Sequence, residues 1–175
     1  MIAKEGLRRL SEGNQKFVSK HDGIIQRHIS GQKPFAAVLT CSDSRVIPEY
    51  IFDAGIGEIF VVRDAGNMAF GASVIGSLEY AVEHLHVPLI LILGHTHCGA
   101  VMAAEQGPGE NTCEGELVNE VRQCFGGGDH VRDNLMRQLA ELPKRSAIIA
   151  NAMESGELAM KGAVYRLEDG TVEFL

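Results

Sequence analysis

The stretch that decides the fold is "VPLILILGHTHCGA", Val87 to Ala100. Leu89 to Leu93 are aliphatic without a break, so no alternation reserves one face for water. Runs of this kind belong to parallel strands covered on both faces. The run then stops on a glycine, two histidines and a cysteine. Upstream, "FAAVLTCSDSR" (Phe35 to Arg45) repeats the layout, ending on Cys41, Asp43 and Arg45. Between them, "EIFVVRDAGN" reads as a strand ending at Asp64 and Gly66. "GASVIGSLEYAVEHL" places Val74, Ile75, Leu78, Ala81, Val82 and Leu85 on one helical face, with Ser73 as a cap. Strand, helix and strand with short connections predict an α/β fold, a central mostly parallel sheet flanked by helices. Ligands of such sheets collect at the carboxyl ends of the strands, where this chain carries its unusual chemistry.

The flanks extend the pattern. "AKEGLRRLSEGNQKFVSK" sets Leu7, Leu10, Phe17 and Val18 at helical spacing and reads as an amphipathic N-terminal helix. "HDGIIQRHISGQKP", broken by Gly23, Gly31 and Pro34, reads as an extended loop. A short helix is expected from Ala100 to about Gln106, a loop over "GPGENTCEGE", and a helix over "LVNEVRQCF". The glycines at 126–128 read as a flexible break. "DHVRDNLMRQLAEL" reads as a helix capped by Asp129, with Val131, Leu135, Leu139 and Leu142 on its apolar face. "AIIANAMES" is a helix stopped by Gly156. "LAMKGAVYRLEDGTVEFL" reads as a closing hairpin turning at "EDG".

The 175 residues and 45% hydrophobic content fit one domain able to bury a core without disulfides. The expected division is a helical arm and loop over 1–34 and an α/β core over 35–175. Mean hydropathy is +0.02. A net charge of −7 with no basic cluster argues against nucleic acid and anionic membranes as partners. No apolar run is long enough to span a bilayer. Met1 is followed by polar residues rather than a secretory apolar region, so the expected location is the cytoplasm. Cysteines at 41, 98, 113 and 124 are then ligands, nucleophiles or inert thiols rather than disulfides.

His95 and Cys98 form H-x-x-C where a strand ends and the chain turns. Cys41 lies 54 residues before His95, at the end of another strand. Adjacent strands are about 4.8 Å apart, so their ends can converge on one ion. Two thiolates and an imidazole suit Zn²⁺, and three protein ligands leave a fourth position open, as catalytic sites require. Two thiolates also weaken the ion as a Lewis acid, so the surroundings must help. Asp43 can accept a hydrogen bond from bound water, and Arg45 can hold Asp43 bidentately, ionised and off the metal. The pattern implies a zinc-bound hydroxide poised to attack an electrophile.

Taken singly, these residues say less. Cys41 alone reads as a small buried hydrophobe, H-x-x-C is a weak motif, and Asp43 with Arg45 could be a surface ion pair. The coincidence of both clusters at strand ends carries the reading. His97 is expected to point away from His95. Cys113 and Cys124 read as structural or free thiols. His21, His28, His84, His86 and His130 read as surface residues, one of which could relay protons.

C-x-D-x-R on one strand end and H-x-x-C-G on another resemble the β-class carbonic anhydrases. The resemblance extends to "EGNQKF", "QKPFAAVLTCSDSRV", "RDAGN", "SVIGSLEYAV", "GHTHCGA" and "KGAVYRLEDGTVEFL", in the family's order over nearly the whole chain. It implies Cys41, His95 and Cys98 as zinc ligands, one ion per subunit, and Asp43 with Arg45 as a catalytic dyad. It implies that Gln32 helps orient substrate across a subunit interface and that Gly99 borders the substrate pocket. The implied reaction is reversible hydration of carbon dioxide to bicarbonate and a proton. The implied assembly is a dimer or tetramer, with the N-terminal helix wrapped on a partner. The family also has a closed state in which the aspartate replaces water on zinc. A bicarbonate-regulated subgroup carries a tryptophan where this chain has Val38, and this chain has no tryptophan.

Two alternatives stand beside this reading. Relatives hydrolyse carbonyl sulfide or carbon disulfide with the same ligands. A non-catalytic, zinc-stabilised interaction protein would bind the metal without turnover, but has no use for an Asp43–Arg45 pair.

Overall fold

The computed structural model describes residues 2–21 and 23–175, leaving Met1 and Asp22 aside. The chain divides into two compact units, Met1–Gln32 and Lys33–Leu175. The first holds helix α1, Ala3–Lys20, over the stretch read as amphipathic. None of its residues is buried, and Leu7, Leu10 and Val18 are all more than half exposed. Arg8 bridges Glu5 and Glu12 one turn to either side, a pairing that supports an exposed helix weakly. The stretch expected to be an extended loop contains a 3₁₀ turn at Ile25–His28.

The second unit is built on a five-stranded sheet, ordered β2-β1-β3-β4-β5. The strands are β1 (Ala36–Thr40), β2 (Ile59–Arg63), β3 (Leu89–His95), β4 (Ala159–Tyr165) and β5 (Val172–Phe174). The first four are parallel, and β5 turns back antiparallel on β4. All of β1 and all of β3 beyond Leu89 are buried. Ala37, Leu39, Ile90 and Ile92 face a core made with α3 (Ala72–Glu83), α6 (His130–Arg145) and α7 (Ala147–Glu154). Val38, Leu91 and Leu93 alternate to the opposite face, against Val46, Ile51 and Phe52 around α2 (Pro48–Ile51). The unbroken aliphatic runs therefore reflect two covered faces, as parallel strands require.

Several local readings need correction. Ser73 does not cap α3: Gly71 occupies that position without a side-chain bond, and Ser73 sits in the first turn. Helix α5 spans Cys113–Arg122, beginning four residues before the expected start. Thr112 caps it by accepting from Gly115 N–H, and Glu114 and Glu116 suit the positive end of its dipole. Polar residues in a capped first turn look like loop until the Thr112 cap is counted. Asp129 does cap α6, which runs past Leu142 to Arg145 with Pro143 in its last turn. The glycines before it are tethered, because Gly126 and Gly128 N–H both donate to Asp133.

Candidate active site

Strand register assembles the site. Thr40 lies beside both Leu93 and Arg63, so Cys41, one residue on, leaves β1 next to the end of β3. Thr40 Oγ1 donates to the Leu93 carbonyl at 3.0 Å and fastens the two strand ends together. His95 closes β3, and Cys98 is the N-cap of α4, Gly99–Gln106. Cys41, His95 and Cys98 are all buried, and their donor atoms lie within 4.8 Å of one another. No other cluster of three potential metal ligands occurs among the described residues.

The donor set fits a tetrahedral ion. The two sulfurs are 4.0 Å apart, close to the roughly 3.8 Å that two 2.3 Å zinc–sulfur bonds imply. His95 Nδ1 lies 2.8 Å from the Thr96 carbonyl. If Nδ1 carries the proton and donates there, Nε2 is left as a lone-pair donor. Nε2 is buried with no hydrogen-bond partner, an arrangement that costs stability unless something else occupies the lone pair. All four cysteines are free.

The thiols ionise as a pair. Cys41 is lowered, first by the hydrogen bond with Cys98 and further by the Gly66 and Asp43 amides, against the cost of burial. Cys98 is pushed up by the same bond, by burial and by the Cys41 charge. The first thiolate thus forms readily, and the second needs a cation beside it.

Asp43 and Arg45 form the second part. Arg45 Nε and Nη2 donate to the two Asp43 oxygens at 2.9 and 2.7 Å, and Arg45 N–H adds a third bond at 2.9 Å. Arg45 holds the carboxyl well below the usual range, mainly through these side-chain bonds. Asp43 Oδ2 stands 4.0 Å from His95 Nε2, so the carboxylate borders the donor cluster.

Residues outside the two motifs support this arrangement. Arg63, at the end of β2, donates to the carbonyls of Cys41, Asp43 and Val46 and fixes the loop between them. A basic residue ending the strand next to that of Cys41 was the available signal. Gly66 N–H donates to Cys41 Sγ at 3.3 Å. His97 stands outside the donor cluster, with its ring exposed. Continued alternation would put it on the face of His95, but β3 ends there and His97 adopts φ 55°. Its ring meets Glu168 at 2.9 Å, and its carbonyl accepts from Arg45. Gly99 is exposed at the start of α4, with open space where a side chain would stand. Gln32 is exposed at the end of the first unit. Cys113 is exposed, and Cys124 is half-buried.

Fold and site together define an α/β protein with a three-donor, metal-ready cluster at the carboxyl edge of a parallel sheet. The carbonic anhydrase family profile matches residues 36–172. The chain is 40% identical to carbonic anhydrase 2 of Mycobacterium tuberculosis over 92% of its own length and 87% of that protein. It is 37% identical to the carbonic anhydrase of Mycolicibacterium smegmatis over 94% and 89%. It superposes on the Coccomyxa β-carbonic anhydrase solved with acetazolamide with a TM-score of 0.81 at 27% identity, over 97% of this chain and 84% of that one. The chain belongs to the β-class carbonic anhydrases, whose general reaction is the reversible hydration of carbon dioxide.

Proposed function

We propose that the protein hydrates carbon dioxide to bicarbonate and a proton, reversibly, at a Zn²⁺ held by Cys41, His95 and Cys98. The observation that carries this reading is the buried, partnerless His95 Nε2 facing two thiols 4.0 Å apart. Zinc held there supplies the Lewis acidity that makes water a nucleophile near neutral pH. The chain's own groups do the rest. Asp43, kept ionised by Arg45, accepts a hydrogen bond from the attacking water and orients it toward the carbon. Arg45 is itself steadied by the His97 carbonyl at 3.3 Å, so the carboxylate stays off the ligand cluster. In this reading a small linear substrate approaches past Gly99, where a side chain would meet open space, and Gln32 orients it from a neighbouring subunit.

Self-association into dimers or tetramers is part of the proposal. Leu7, Leu10, Phe17 and Val18 of α1 are exposed, and an amphipathic helix with an open apolar face calls for a partner. No helix among the described residues is long and apolar enough to cross a membrane.

The test is metal analysis with stopped-flow hydration of carbon dioxide, alongside carbonyl sulfide hydrolysis on the same preparation. One zinc per chain and fast hydration are expected. Zinc without hydration, or a strong preference for the sulfur gas, would overturn the reading.

A further inference from the structure

Helix α6 buries two amides, Asn134 and Gln138, one turn apart among Leu135 and Leu142. They are 1% and 2% exposed. A buried amide left unpaired costs on the order of 1–3 kcal/mol, so their partners indicate what they do. Ala69 N–H donates to Gln138 Oε1 at 3.0 Å, and Gln138 Nε2 donates to Asn134 Oδ1 at 3.0 Å. With its oxygen engaged, Asn134 turns Nδ2 to the Gly66 carbonyl at 2.7 Å. The Gly66 N–H in turn donates to Cys41 Sγ. One buried chain of hydrogen bonds thus runs from α6 to a sulfur of the candidate metal centre.

Gly66 explains why the support must come from outside the turn. It adopts φ +75°, and a Cβ there would stand 3.2 Å from Val121 Cγ2 and 3.3 Å from Ala100 Cβ. The residue is confined to glycine by conformation and by space. It has no side chain with which to anchor itself, so its carbonyl is the available handle. That carbonyl and the N–H facing Cys41 belong to different peptide units, so the effect of Asn134 is geometric: it fixes the rotation of Gly66 between them.

We infer that Asn134, braced by Gln138, is a positioning residue of the metal centre, aiming the Gly66 N–H at the Cys41 sulfur. The inference rests on the proposed role of Cys41 as a ligand. An N–H donated to a thiolate draws electron density from the sulfur. A ligand set with two thiolates has that density to spare, so the bond restores Lewis acidity to the ion it holds. The two amides touch neither the donor atoms nor the substrate and act only through Gly66.

The test uses the full chain loaded with Co²⁺, comparing wild type with Asn134→Leu, Gln138→Met and Leu135→Ala. Two readouts are followed: the thiolate-to-cobalt charge-transfer band, and Co²⁺ affinity by competition with a chromophoric chelator. Asn134→Leu and Gln138→Met should move the band to lower energy, and the loss of a fixed geometry at Cys41 should outweigh the stronger sulfur donor and weaken binding by about 10-fold or more, the scale of a lost outer partner. Leu135→Ala loosens the same helix without touching the hydrogen bonds and should leave the band in place. In protein loaded with NMR-active cadmium, a scalar coupling from metal to the Gly66 amide proton should be present and should weaken in Gln138→Met. That readout serves if Asn134→Leu does not fold. An unmoved band and affinity in a folded Asn134→Leu or Gln138→Met would overturn the inference, as would an equal shift in Leu135→Ala. A wild-type protein without any thiolate-to-cobalt band would overturn the ligand assignment itself, a distinct failure.

Discussion

Arg45 grips both oxygens of Asp43, Nε to Oδ1 at 2.9 Å and Nη2 to Oδ2 at 2.7 Å. The two residues are separated by one serine, and the Arg45 amide bonds the same carboxylate. So tight a local closure sets the direction of the carboxylate before any metal or substrate arrives. Its remaining lone pairs border His95 Nε2 at 4.0 Å. The pair is therefore built to present an ionised acceptor beside the donor cluster.

Asp43→Ala should leave the donor cluster intact, because strand register places Cys41 and His95, the start of α4 places Cys98, and Arg63 fixes the Cys41 carbonyl, none of them through the Asp43 side chain. Zinc content is expected to stay near that of the wild type, while turnover falls roughly 100-fold. Metal analysis and stopped-flow hydration on one sample check both halves, and unchanged turnover would refute the role of Asp43.

Arg45→Ala removes the grip and the main cause of the low Asp43 pKa. The carboxyl should then titrate closer to its ordinary value of about 3.9 and be free to swing to the metal. A zinc-edge absorption spectrum of this variant is expected to show a carboxylate oxygen among the ligands where the wild type shows water. The same spectrum for both proteins would remove the idea that Arg45 holds Asp43 off the metal.

The donor cluster was legible because its geometry follows from local rules. Two apolar runs give two parallel strands, neighbouring strands align their ends, and Cys41 and His95 each stand where a run stops. The Asp43–Arg45 pair was legible because its residues are two apart. What could not be read depends on distant contacts or on backbone twists. Asn134 and Gln138 lie on a helix face that leucines define, and nothing local in the sequence marks two amides among them as buried and bonded. Their function depends on Gly66, 68 residues from Asn134. His97 follows from a left-handed turn that alternation does not describe, and the start of α5 from a threonine cap inside a polar stretch.

Packing of the sheet against α6 offers a test independent of the metal. Gly162 is buried on β4, and a Cβ there would come within 2.9 Å of Leu139 Cδ1 and 3.4 Å of Leu135. Gly162→Val should force the helix outward or its leucines off their rotamers, at a cost of about 1–3 kcal/mol. Denaturant unfolding measures it as a lower midpoint, and an unchanged midpoint would mean that the interface has slack.

Glu168 predicts how stability responds to acid. From the turn between β4 and β5 it accepts from Thr96 Oγ1 and meets His97 Nε2, both at 2.9 Å, tying that turn to the end of β3. Its pKa is lowered, first by its own backbone amide, then by Thr96 and His97. A carboxylate depressed in the folded state stabilises the fold above its unfolded pKa of about 4.3, and the contribution disappears as pH falls through the folded value. Glu168→Gln has no charge to lose. It should melt below the wild type at about pH 7, and the difference should close as the pH drops below about 4. Thermal melts of both proteins across that range check the sign. A difference of the same size at both ends would mean that the ionised carboxylate contributes nothing, leaving shape and neutral hydrogen bonding to hold the turn.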